Sequence, residues 1–396
     1  MWLTSFLAFS MLVAVIPRPV EANILQSRSI LPVAAAFLAT VLIAAWTLIG
    51  SPAHTPAVLE GGKAGSISID RSATVLEIVR LGGLACAFVV GCIQGGKDRR
   101  ALMTSIAVAV SGALYTLIGV LIYLGDGQAG TGARFSGGFL SANSAATLLG
   151  VLLVVTVSLI IRQGAKSTTE SSRKSKIWLL SLIGCACTLV VGLLLTASRM
   201  GFVSTALALT VLILWEMLAG GKRLSSTSWR YLAIGGASAI MMLMGADLLW
   251  ARFGAVDDDA ANRGVIFAAH WQAFLASPAF GHGLGSFTAI NNSIMTADNY
   301  GALWSIRAAH NVYIQWLEEA GVIGFVPMLV CISICIGMSI AGARQPARGR
   351  TVLRGLIAAN VVILVHSLTD FSLQVPSIAA AWAFILGLQF AFSRND

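Results

Sequence analysis

Residues 140–161 read LSANSAATLLGVLLVVTVSLII, a run with no charged side chain. Crossing the hydrocarbon core of a bilayer takes about 20 consecutive apolar residues in a helix, so this stretch predicts a membrane-spanning helix. Comparable windows lie at 2–16, 30–50, 73–94, 101–124, 177–196, 201–219, 231–250, 312–341, 352–369 and 377–392, which by that length criterion predicts about 11 spans. The whole chain agrees: 57% of its 396 residues are hydrophobic, 11% are charged, and the mean hydropathy is +0.83. Soluble domains carry about 25% charged residues. The fold class read from this is all-α, a polytopic membrane helix bundle forming one integral membrane domain over residues 1–396.

The net charge of +9 is explained by topology. When alternate loops are assigned to opposite faces, most Lys and Arg residues fall on one side, as in Lys97/Arg99/Arg100, Arg173/Lys174/Lys176 and Arg344/Arg348/Arg350/Arg354. By the positive-inside rule that side is cytoplasmic, and no nucleic-acid partner is implied. An odd number of spans then puts the N-terminus outside, which hints at a further helix upstream; 2–16 itself reads as a span and not as a signal peptide. The six cysteines all fall inside apolar windows and read as small core residues.

One long hydrophilic stretch, 251–310, breaks the succession of spans and is predicted to lie on the outer, periplasmic side. Loops in membrane proteins stay short unless they carry function. Within it, 262–274 has the spacing of a short amphipathic helix on the membrane surface, with Asn262 as N-cap, Arg263 in the first turn and Pro278 as stop. The adjacent Asp257, Asp258 and Asp259 read as solvated loop carboxylates, so no metal site is assigned. The Gly281-His282-Gly283-Leu284-Gly285 turn lacks the lysine and the preceding strand of a phosphate loop. It predicts a place where backbone comes close to the site.

Cations are few on the outer face, so Arg134, Arg199, Arg263 and Arg307 stand out there. A single interfacial arginine is an ordinary snorkelling anchor. Several converging on one face would make an anion site, because guanidinium groups bind phosphate bidentately and stay charged. His310 begins the next apolar run and could accept a proton near neutral pH, or simply cap a helix. Glu318 and Glu319 follow as packed polar residues or as partners that orient it. Glu77 and Arg80, three apart in one window, read as a paired charge. His366 and Asp370, four apart near the outer end of 352–369, could line a cavity or support His310.

His310-Asn311, followed by Gly321 and Gly324, resembles the signature of the bacterial O-antigen ligase/polymerase superfamily. Ser198-Arg199, Asn262-Arg263, the 278–287 glycine turn, His366 to Asp370 and the Arg134 to Asn143 segment follow in a similar order. The resemblance implies a glycosyltransferase C-like bundle in the bacterial inner membrane, working at its periplasmic face. It implies transfer of a glycan from undecaprenyl pyrophosphate to an acceptor, without metal or other cofactor. The acceptor is lipid A core in lipopolysaccharide ligases, or another carrier-linked chain in polymerases, including those that make exopolysaccharide. Carried over, Arg199 and Arg263 would bind the pyrophosphate and His310 would activate the acceptor hydroxyl, by direct and hence inverting displacement. Arg134, Asn143, Asn311, Gly283, Gly285, Arg307, His366 and Asp370 are then candidates to touch substrate. The competing reading is a polytopic transporter of a polar solute, built on Glu77/Arg80 and Glu318/Glu319.

Overall fold

In a computed structural model, which describes residues 28–49, 67–169, 172–219, 256–345 and 350–394, the apolar windows are helices. The windows at 2–16 and 231–250 lie outside the described residues. The helices are α1 Leu31–Trp46, α2 Arg71–Gly95, α3 Asp98–Gly125, α4 Ala142–Thr169, α5 Arg173–Thr196 and α6 Arg199–Ala219, then α7 Val256–Ala276, α8 Phe287–Ser293, α9 Tyr300–Leu303, α10 Val312–Ala343, α11 Arg350–His366 and α12 Pro376–Phe392. No strand occurs among the described residues. Six of these helices, α2 to α6 and α10, are long and apolar enough to cross a membrane, and α1 and α12 are shorter apolar helices. This is a multi-pass helical membrane protein.

Local chemistry sets the helix ends. The Asp70 carboxylate accepts the Ala73 N–H at 2.9 Å and caps α2. Proline opens α12, where its missing N–H costs nothing. Between α5 and α6, Ala197 turns left-handed at φ 45°, and Ser198 Oγ then accepts the Gly201 N–H at 3.3 Å. Two predicted boundaries shift. Helix α7 begins six residues before the expected cap, so Asn262 and Arg263 sit within it and Asp257 to Asp259 belong to its first turns. Helix α11 ends at His366, so Asp370 lies beyond it and the two do not share one helical span.

The chain divides into two compact units. One comprises 94–253, 338–366 and 388–396. Here α4 packs against α3, α5, α6 and α11, and 89% of its apolar window is buried, which makes it the central helix. Small residues let the backbones close in: Gly201 of α6 lies on Ala146 of α4, and Gly355 of α11 on Ser158 of α4. Leu114, Leu117, Ile118 and Leu121 of α3 remain exposed, as lipid-facing residues do.

The other unit comprises 1–93, 254–337 and 367–387. Its core joins Ala44 of α1, Leu81 of α2, Leu284 of the glycine turn and Ala320 of α10, with Phe37, Val41, Ile78, Trp316 and Met328 around them. Arg80 bonds Glu77 at 3.1 Å and reaches the Leu373 carbonyl and Gln374, so the predicted paired charge also ties α2 to the lead-in of α12.

The decisive local feature is a break in α10. Gly321 adopts φ 60°, ψ −178°, far from helical values. Such a break orphans backbone groups, and in a membrane protein these must find protein partners. The glycine turn supplies them. His282 and Gly283 donate N–H to the Glu318 and Glu319 carbonyls at 2.9 and 2.8 Å, and Val322 and Ile323 donate to the Pro278 and Ala279 carbonyls at 2.9 and 3.0 Å. The segment from Val322 to Ala343 is then about 33 Å long, sufficient for one crossing.

Gly321→Ala would set a Cβ against the Ala279 carbonyl in a left-handed backbone. We predict a loss of about 2–3 kcal/mol or more, read as a lower melting temperature of the purified protein in detergent. Gly337→Ala, where a Cβ meets nothing within 4 Å, should leave the melting temperature within a degree or two of the parent.

Candidate functional site

Two of the three predicted reacting groups meet the same short turn, residues 367–371. Arg263, on α7, donates from Nη1 to the Thr369 carbonyl at 3.2 Å. His310 sets its ring edge-on to Phe371 at 5.0 Å, and two residues later the Val312 N–H donates to the Ser367 carbonyl at 3.0 Å. Both side chains are half-buried. Asp370, between these contacts, is fully buried; it accepts a hydrogen bond from Ser372 through Oδ2, while Oδ1 has no partner among the described residues. A guanidinium and an imidazole are thereby held over one turn of a single unit.

His310 is one of two non-glycine residues described with positive φ, at 54°. That conformation costs of order 1 kcal/mol and persists only where the surroundings impose it. Here they do so from both sides. Asn311 Oδ1 accepts the Tyr313 and Ile314 N–H groups at 3.0 and 3.1 Å, capping α10. On the other side the Ala309 N–H donates to Gln315 Oε1 at 3.3 Å. Gln315 Nε2 donates in turn to Glu319 at 3.0 Å, and Glu319 also accepts the Gly285 N–H at 2.8 Å. A hydrogen-bonded chain therefore runs from the backbone beside His310 to the glycine turn.

The remaining predicted positions divide. Gly283 and Gly285 are φ-positive, at 100° and 77°. Their N–H groups are taken by the Glu319 carbonyl and carboxylate, and a Cβ on them would strike Ser68, or Glu77 and Ala73. They pack the turn against α10 and α2, and their backbone N–H groups are engaged within the protein. Asn311 is committed to its helix cap. Arg307 is exposed on the loop before α10. In the other unit, Arg134 donates to the Thr196 carbonyl and to Asn143 Oδ1, both at 2.7 Å, and so fastens the end of α5. Arg199 is the first residue of α6, half-buried. His366 is buried, with Nδ1 2.7 Å from Thr147 Oγ1. The acidic groups of the transporter reading are all engaged locally: Glu77 with Arg80, Glu318 with His270, Glu319 with the turn.

His270 went unremarked in the sequence. It sits at 0% exposure on the face of α7 that also buries Ile266, Ala273 and Phe274, stacked on Phe287 at 4.7 Å. A histidine at helical spacing within an apolar face was its only signal. Burial drives its pKa from 6.5 to about 4, against a smaller opposing effect of the Asn291 side chain, so the ring is neutral at physiological pH. Burial also lowers His282, whose Nε2–H donates to the Ala273 carbonyl at 2.9 Å.

The segment that holds these features, residues 184–329, matches the family described as O-antigen ligase. That part of the chain is similar to O-antigen ligases. The matched segment takes in Arg199, Arg263, the glycine turn, His310 and the Gly321 break. No curated protein matches the chain. Similarity over this segment supports membrane glycan processing of the O-antigen ligase/polymerase type.

Because folding lowers the pKa of His270, the unfolded chain gains a proton below pH 6.5 that the folded chain refuses until about pH 4. The contribution of His270 to stability therefore falls as pH drops through that window. We predict that the melting temperature of the parent falls relative to that of His270→Asn between pH 6.5 and 4; parallel curves would contradict the assignment.

Proposed function

We propose that this protein transfers a glycan from an undecaprenyl-pyrophosphate carrier to an acceptor sugar at the periplasmic face of the inner membrane. The reading treats residues 1–396 as one integral membrane domain with 251–310 on the periplasmic side. The single observation that carries it is the placement of Arg263 and His310 over the 367–371 turn. The site combines a permanent cation suited to a diphosphate with a group able to take a proton, which is what the reaction needs.

A sugar hydroxyl is a weak nucleophile. His310 accepts its proton as the oxygen bonds to the anomeric carbon of the donor. The bond from that carbon to the pyrophosphate oxygen breaks, its electron pair stays on the diphosphate, and the imidazolium returns the proton to the released carrier or to water. Arg263 stabilises the negative charge that grows on the leaving group, more strongly where water is scarce. Arg199 is proposed, by resemblance alone, to bind pyrophosphate. Displacement in one step inverts the anomeric centre and uses no metal. Asp370, buried beside the Arg263 contact, and exposed Arg307 are the remaining candidates to meet the glycan.

The test is complementation of a gene deletion in the native host. His310→Ala and Arg263→Ala should each lose about 90% or more of surface polysaccharide at unchanged protein level, whereas Gly337→Ala, where an added Cβ meets nothing within 4 Å, should retain it. Full activity of His310→Ala would refute the assignment. The deletion phenotype assigns the acceptor: loss of long chains from lipid A marks a ligase, chains halted at one repeat mark a polymerase, and loss of secreted polymer alone marks an exopolysaccharide polymerase.

A further inference from the structure

His270 Nδ1 and Glu318 Oε2 lie 2.7 Å apart with both side chains at 0% exposure. They share one proton between α7 and α10, and no step of the proposed reaction uses it. Their place in the two helices is informative. Arg263 and His270 are seven residues apart on α7, two turns, and hence on one face. Glu318 lies in the segment of α10 between its start and the Gly321 break, the segment that follows directly from His310. The contact therefore joins the element bearing the cation to the element bearing the base.

We propose that His270 and Glu318 are positioning residues, a buried clamp that fixes the azimuth of α7 so that Arg263 and His310 address the same substrate. This rests on the transfer reading above. Apolar packing alone would hold the two helices together but leave α7 free to rotate or slide. A 2.7 Å contact between two polar atoms in a site without water tolerates neither, because displacement strands both atoms. Phe287, stacked on the ring, restricts the imidazole plane. On the other side of the Gly321 break, the backbone bonds of the glycine turn hold α10 at the same level.

The clamp and a plain packing role predict opposite orders for glutamine at 318 and for leucine at both 270 and 318. The double change His270→Leu with Glu318→Leu keeps bulk and removes both buried polar groups, so neither is stranded, and packing tolerates or welcomes it. Glutamine keeps the hydrogen bond. In full-length protein expressed at equal level in the deletion host, Glu318→Gln should keep polysaccharide output within about threefold of the parent, and the double leucine variant should lower it by at least about tenfold. Hydrogen–deuterium exchange on the purified protein gives a readout independent of activity. Amides of 262–276 should exchange at least about tenfold faster in the double leucine variant than in the parent or in Glu318→Gln. Leucine performing as well as glutamine in both measurements would overturn the clamp. If the exchange result holds while His310→Ala remains fully active, the clamp stands and the transfer reading fails.

Discussion

The architecture depends on one exchange of backbone hydrogen bonds, between the interrupted helix at Gly321 and the turn at 278–285. A break inside an apolar helix strands carbonyl and N–H groups where no water can reach them, at several kcal/mol each. Four bonds from one turn answer that demand. They require the two backbones to come closer than side chains permit. A Cβ on Gly281 would lie 2.5 Å from the Glu319 carbonyl carbon, and one on Gly321 would overlap the Ala279 carbonyl. The glycines serve contact between two chain segments.

From that junction, order propagates to the reacting groups. Glu319 holds the Gly285 N–H and Gln315, and Gln315 holds the backbone next to His310. The unusual φ of His310 is thus fixed from a distance, and its ring is set against Phe371 with no freedom to follow the helix axis. The same turn that receives His310 also receives Arg263. Preorganisation of this kind matters for glycan transfer, because the charge that appears on the leaving diphosphate must find its counter-charge already in place.

Much of the fold was legible from hydropathy alone, because bilayer thickness imposes a length on every span; 177–196 falls within α5, and all but the first two residues of 140–161 fall within α4. The loop 251–310 was less legible. Its three aspartates suggested coil, whereas acidic residues favour the positive end of a helix, so α7 starts earlier and Arg263 moves inward. Gly281, Gly285 and Gly321 could be seen as glycines, but their partnership could not, since it joins segments about forty residues apart with no periodicity linking them. The same holds for His270, whose partner lies 48 residues on. Of the candidate site, His310 and Arg263 were visible as residue types, but their meeting at the 367–371 turn was not, and Asn311 caps α10 while Gly283 and Gly285 pack the turn.

The central claim is a division of labour, with the guanidinium of Arg263 holding diphosphate and the imidazole of His310 moving a proton. Equilibrium binding of undecaprenyl pyrophosphate to the purified protein in detergent tests it most directly. Loss of a charge-assisted contact worth about 1.5–3 kcal/mol predicts that Arg263→Ala weakens binding by roughly ten- to a hundredfold, while His310→Ala binds as the parent does. Unchanged binding by Arg263→Ala, or an equal loss in His310→Ala, would contradict the account.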